Sequence, residues 1–170
     1  MFKKYILLSF CILVGAPYTF AMPFVGDSST VISKVTLNGL AYTDNICSTI
    51  STSYDSCKNE YQFIESCHLK NEPQGTFTKF VVPASEMRSD AIVSEIISNC
   101  SNHNGTPSTH TFANGYKIPV CILASKDSDG ALTEIYIAHV PPFGFVKQVR
   151  SGPKVGNLSS IEVINFSFAK

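Results

Sequence analysis

The first feature of the chain is an unbroken apolar run of 12 residues, Tyr5 to Ala16 (YILLSFCILVGA). Ser29 to Leu37 (STVISKVTL) predicts a strand. Asn38-Gly39 behind it predicts a tight hairpin turn, since both residues tolerate the positive φ such turns demand, and Leu40-Ala41-Tyr42 predicts the return. Thr43 to Asn59 (TDNICSTISTSYDSCKN) is polar and hydroxyl-rich and reads as a loop held by its cysteines. Tyr61, Phe63, Cys67 and Leu69 then alternate with polar neighbours, interrupted at Glu65, which is strand periodicity. Glu72-Pro73-Gln74-Gly75 is a turn signal, and Phe77 to Val82 predicts the second arm of a hairpin.

Helical rhythm dominates one stretch, Pro83 to Cys100. Ile92, Val93, Ile96, Ile97 and Cys100 form a stripe at helical spacing. Glu86 and Asp90 sit near the start, where a helix dipole favours acids. The expectation is one main helix over about 84–100. Ser101 to Gly115 is a polar loop. Val120 to Ala124 (VCILA) reads as a central strand with Pro119 at its beginning, because proline cannot donate to a ladder. Lys126 to Gly130 predicts a hairpin loop, Leu132 to Val140 its partner strand, and Phe143 to Arg150 and Ile161 to Phe168 the last strands, joined by a loop bearing Gly and Pro. The pattern predicts an α+β fold: one helix packed on an antiparallel sheet of about six or seven strands, stabilised by disulfides.

The apolar run changes meaning once its flanks are read. Met1-Phe2-Lys3-Lys4 is basic, and Thr19-Phe20-Ala21 offers small residues where a signal peptidase reads, so residues 1–21 are expected to be a secretory signal peptide cleaved after Ala21. A run of 12 is short of the ~20 residues that span a bilayer. Cys11 follows bulky Phe10 too early for a lipoprotein signal and reads as part of the signal. Residues 22–170 are expected to form a single globular domain, secreted or periplasmic. They hold 11 basic and 13 acidic side chains, which excludes the electrostatic footprint of a nucleic-acid or anionic-membrane binder. No second apolar segment is long enough for a transmembrane helix. Asn-x-Ser/Thr sequons stand at Asn99, Asn104, Asn157 and Asn165, the last in an expected strand, a poor acceptor site.

Export gives the cysteines an oxidising compartment. Five lie beyond the signal segment: Cys47, Cys57, Cys67, Cys100 and Cys121. Their spacings contain no Cys-x₂₋₄-Cys pair, which excludes the familiar zinc patterns. Cys100 falls at the end of the expected helix, on its apolar face, and Cys121 in the strand that follows the polar loop. A bond between them would close a loop of about 22 residues and stabilise the fold by roughly 3 kcal/mol. One further pair is expected among Cys47, Cys57 and Cys67, and the remaining thiol is expected to be a small buried hydrophobe.

Candidate chemistry is thin. Gly26-Asp27-Ser28 is similar to the motif that opens one class of serine esterases, but the Asp-x-x-His of their C-terminus is missing, and a nucleophile without a base is inert. Of His68, His103, His110 and His139, two share the polar loop without a carboxylate or cysteine at ligand spacing. His139 could meet Cys121 across a hairpin as a Cys/His pair. Asp127-Ser128-Asp129-Gly130 departs from a calcium loop, with Ala131 at the next ligand position. Gly152-Pro153-Lys154-Val155-Gly156 lacks the Gly-Lys-Ser/Thr end of a phosphate loop. No catalytic residue set, cofactor or metal site is implied. Pro141, Pro142, Phe143 and Phe145 form a candidate binding patch, since two prolines stiffen a pair of aromatics. The expected function is that of an exported non-enzymatic domain binding a protein or small ligand. The alternatives are a small secreted hydrolase using a Cys/His or Ser/His pair, and a structural or envelope-associated subunit.

Overall fold

The computed structural model describes residues 24–72, 74–128, 130–152 and 157–169. The expected signal peptide with Cys11 and its cleavage site, Asp129 of the calcium-like turn, and Pro153 to Gly156 of the phosphate-loop-like segment lie outside the described residues.

The fold is mostly antiparallel sheet rather than α+β. Among the described residues ten strands are joined in one sheet, and α1 (Asp90–Ser98) is a single short helix. The strands are β1 (Ser28–Leu37), β2 (Leu40–Ala41), β3 (Asn45–Asp55), β4 (Glu60–Leu69), β5 (Thr76–Pro83), β6 (Thr106–Thr111), β7 (Lys117–Lys126), β8 (Leu132–Ile137), β9 (Phe145–Ser151) and β10 (Leu158–Ser167). They run in the order β5-β4-β3-β1-β10-β9-β8-β7-β6, with β2 paired to β1 alone.

Two corrections account for most of the difference. The Thr43–Asn59 segment contains β3, not a loop. Cys47, Thr49 and Ser51 point inward and are buried, while Ser48 and Ile50 between them are exposed. The alternation is that of a half-buried strand, but hydroxyls occupy the inward positions, so no apolar rhythm marks it. The Ser101–Gly115 segment likewise contains β6, an edge strand of Thr, Pro, Ser and His whose residues are nearly all exposed. The helix is shorter than 84–100 because β5 runs on to Pro83, a 3-10 turn follows (Ala84–Glu86), and Met87 is extended. Helix α1 begins only where Ser89 caps it, its Oγ accepting from Ile92 N at 3.3 Å. At the Asn38-Gly39 turn both residues take positive φ, 52° and 80°, and Leu37 pairs with Leu40.

Helix α1 bridges the far edges of the sheet, carrying the chain from β5 to β6. Its Val93 is fully buried with Cys100, Cys121 and Ile137, against Ile96, Ile97, Leu123, Ile135 and Phe145. Cys100 and Cys121 are disulfide-bonded, Cα–Cα 5.5 Å, and staple the helix end to β7. Cys47 and Cys67 form a second disulfide between directly paired positions of β3 and β4, Cα–Cα 4.1 Å. Cys57 is in neither bond and is exposed in the β3–β4 turn, not buried as a small hydrophobe would be.

The two ends of the described chain meet at Asp27, which is completely buried. Its Oδ2 accepts from Phe24 N and its Oδ1 from Ala169 N, both at 2.7 Å. Its backbone is tied to β3, with Ser51 N donating to Asp27 O at 2.9 Å. A buried carboxylate is tolerated when amides satisfy it in this way. Burial first, then Tyr54 and Asp27, holds the Tyr61 phenol above its ordinary value of 10.0.

Two predictions follow from this framework. Asp27→Ala removes the acceptor of two part-buried amides and should cost about 1–3 kcal/mol in all, read as a shift in urea midpoint. At Gly105 an added Cβ would lie 2.5 Å from Cys121 Sγ and 2.7 Å from Cys100 Sγ. Gly105→Ala should therefore leave those two thiols open to alkylation, detected by mass spectrometry, with a stability loss of about 3 kcal/mol.

Candidate functional site

Among the described residues, chemistry-bearing side chains gather at two places. The first is on α1. Asp90 and Ser94 are one turn apart and share a face of the helix. His139, just beyond the end of β8, lies between their side chains: Nδ1 is 2.7 Å from Asp90 Oδ1, and Nε2 is 3.3 Å from Ser94 Oγ. The loop presenting His139 is held firmly. Ala138 N donates to Gly144 O, Gly144 N donates to Val140 O, and Arg88 Nη1 donates to Phe143 O at 3.2 Å. Ala138 and Val140 on either side of His139 are fully buried.

The second place is the curl of β6–β10. His110 on edge strand β6 reaches Glu162 on β10 across three intervening strands, with Nε2 3.8 Å from Oε1. Lys147 Nζ is 3.4 Å from Glu162 Oε2 and stands 5.9 Å over the Tyr136 ring. The His110 side chain is only 10% exposed, and its Nε2 is buried without a hydrogen-bond partner. Burial is the largest influence on this imidazole and lowers its pKa below 6.5; Glu162 pulls it up and Lys147 pushes it down.

The residues singled out in the sequence are dispersed. Cys121 is bonded to Cys100, and His139 faces Asp90 and Ser94. Ser28 pairs in the sheet with Ser167 and Ile50, and Asp27 before it is the terminal clamp. His103 pairs with Glu95 at 2.8 Å and His110 with Glu162, so the two loop histidines share no ligand position. Asp127 accepts from Arg150 Nε and Nη2 at 3.2 and 3.1 Å. Cys47, Glu65 and Cys67 have ligand atoms within 4.8 Å of one another, but both sulfurs are committed to the disulfide. Pro141 and Pro142 are buried. Phe143 and Phe145 are half-buried, the first against Phe63 at 5.5 Å in the Tyr61–Met87 cluster and the second in the cluster under α1. The apolar stripe of α1 draws no attention to Ser94, and the position of Asp90 near the helix start accounts for an acid there without any partner. Their i, i+4 spacing was the available signal.

A third feature is a surface. Phe77, Lys79 and Val81 alternate outward along edge strand β5, with Phe77 78% and Val81 50% exposed. Ile64 and Ile50 continue the same face inward, paired in register with Lys79 and with each other. A shallow groove of about 150 Å³, lined in part by Thr52, Gln62, Ile64, Lys79 and Val81, runs beside them.

The His110 site predicts a pH dependence. A histidine kept neutral by the fold binds protons more readily when unfolded, so stability rises with pH between its folded and unfolded pKa values. His110 therefore contributes its full share above pH 6.5, the ordinary value, and that share is lost as pH falls toward the lower folded value. Urea unfolding at pH 7.5 and 5.5 should show a smaller stability difference between the two pH values in His110→Leu than in the unaltered protein.

No family model and no curated protein matches the chain. Among solved structures it is similar to a Bacteroides fragilis NCTC 9343 protein described as exported and as having a YmcC-like fold. The two share 10% identity over 87% of this chain and 99% of that one, with a TM-score of 0.43.

Proposed function

We propose that this chain is an exported domain that works outside the cytoplasm and binds an extended segment of a partner protein along β5. Export is supported by the basic, apolar and small-residue order of residues 1–21 and by two disulfides, which persist in oxidising compartments. Binding is carried by one observation: among the described residues β5 is a sheet edge with no further strand beside it, and it displays apolar side chains. An edge strand offers a row of backbone donors and acceptors that another strand can pair. The opposite edge, β6, is blunted by Pro107 within it, whereas β5 has its proline only at the last position, Pro83.

The chemistry of the edge specifies its occupant. Phe77 and Val81 ask for apolar residues at alternate positions. Lys79 between them is exposed and makes no ion pair among the described residues, so it asks for an acid. A second copy paired edge to edge about Lys79 would oppose like charges, which disfavours self-association. This reading moves the binding surface away from Pro141–Phe145, whose prolines are buried.

A synthetic heptapeptide of alternating valine and threonine with a central glutamate is the probe. Its addition should shift the backbone amide resonances of Thr76–Pro83 in a heteronuclear spectrum. Lys79→Glu should weaken the binding at least several-fold, and a peptide with central lysine should then bind the variant better. Shifts that fall elsewhere, or none at all, would remove the reading, as would dimerisation through β5 in sedimentation.

A further inference from the structure

The Asp90–His139–Ser94 constellation goes beyond a binding role. Asp90 Oδ1 stands 2.7 Å from His139 Nδ1. A carboxylate is acceptor-only, so this contact places a proton on Nδ1. In the neutral form with that tautomer the lone pair is on Nε2, which faces Ser94 Oγ at 3.3 Å. The serine hydroxyl is thus the donor, aimed at a base that a third group orients. That order of roles defines an activated nucleophile irrespective of fold.

We propose that Ser94 is a nucleophile for acyl transfer from carboxylic esters, with His139 as its general base and Asp90 as the positioning residue. Ser94 Oγ bonds to the ester carbonyl carbon as its proton passes to His139 Nε2. The tetrahedral intermediate collapses by breaking the bond to the alcohol oxygen, and the departing alcohol takes the proton from Nε2. Water then attacks the acyl-serine, giving a proton to Nε2, and the second collapse releases the acid and returns that proton to Ser94 Oγ. The sum is ester plus water to acid plus alcohol.

The setting selects the substrate class. The His139 side chain is 39% and that of Asp90 55% exposed, so the relay lies open at the surface rather than at the base of a pocket. An open site favours esters with good leaving groups, which need less electrostatic stabilisation of the intermediate than amides do. Precision comes from the supports: α1 fixes Asp90 and Ser94 one turn apart, and the bonded loop between Ala138 and Gly144 fixes the ring.

The test uses the chain from residue 22 onward, with its disulfides formed, a fluorophosphonate probe and p-nitrophenyl acetate. The unaltered protein should carry a single adduct, mapped by mass spectrometry to the peptide containing Ser94, and should hydrolyse the ester above the rate in buffer. Ser94→Ala and His139→Gln should each lower hydrolysis by about 100-fold or more, the range of a positioned general base. Asp90→Asn should slow it and Asp90→Glu restore part of the rate, which a merely structural role for Asp90 would not produce. No adduct on the unaltered protein, or an adduct at another residue, overturns the proposal whatever the folding of the variants. Binding of the heptapeptide at β5 is read separately, so either proposal can fail alone.

Discussion

The sheet depends on the double pairing of β1. This strand lies between β3 and β10 and pairs with both, with a register shift toward β10 between Thr30 and Val31, so Val31 faces Cys47 on one side and Val163 on the other. On one flank the chain meanders outward through β3, β4 and β5; on the other it returns from β6 through β10. Within the ladder the two meanders are joined through this strand, and the chain itself passes from one to the other through α1. The arrangement requires residues near opposite ends of the described chain to meet, which is costly in loop entropy. The buried Asp27 carboxylate offsets part of that cost by bonding amides from both ends, Phe24 and Ala169.

The two disulfides act at different levels. Cys47–Cys67 joins neighbours in one ladder, where inward-facing Thr49 and Ser51 supply little apolar area. Cys100–Cys121 joins elements the ladder does not connect, fixing the helix end over β7. Gly105 is required there because its missing side chain is the space the sulfurs occupy. With α1 anchored at that end and capped by Ser89 at the other, the face carrying Asp90 and Ser94 has a defined orientation toward the loop after β8.

That orientation separates the surfaces of the molecule. Val93, Ile96 and Ile97 of α1 pack toward the sheet while Ile92 of the same stripe is exposed, and the polar side meets His139. The outer face of β3–β5, with Phe77 and Val81, lies on strands that α1 does not cover. Protein surfaces seldom leave a ring as exposed as Phe77 on an unprotected edge, since such edges invite pairing.

Patterning alone determined much of the strand content. β1, the Asn38-Gly39 turn, β4, β5, β7, β8, β9 and β10 follow from apolar alternation or apolar runs, because burying one face of a sheet demands them. It also marked the stripe of Val93, Ile96 and Ile97 that became the buried side of α1. It could not mark β3 or β6, whose inward or edge positions hold Thr and Ser, residues that satisfy a ladder without an apolar rhythm. Tertiary structure alone decided that Asp27 is a clamp rather than part of a nucleophile motif, that the Pro141-Pro142 segment is interior, and that His139 belongs with Asp90 and Ser94. Each is a contact between residues far apart in the chain, 142 positions in the case of Asp27 and Ala169 and 45 for Ser94 and His139. Local sequence sets which face of an element is buried; which distant groups then come within a hydrogen bond is set by the strand order and by the crossing of one short helix.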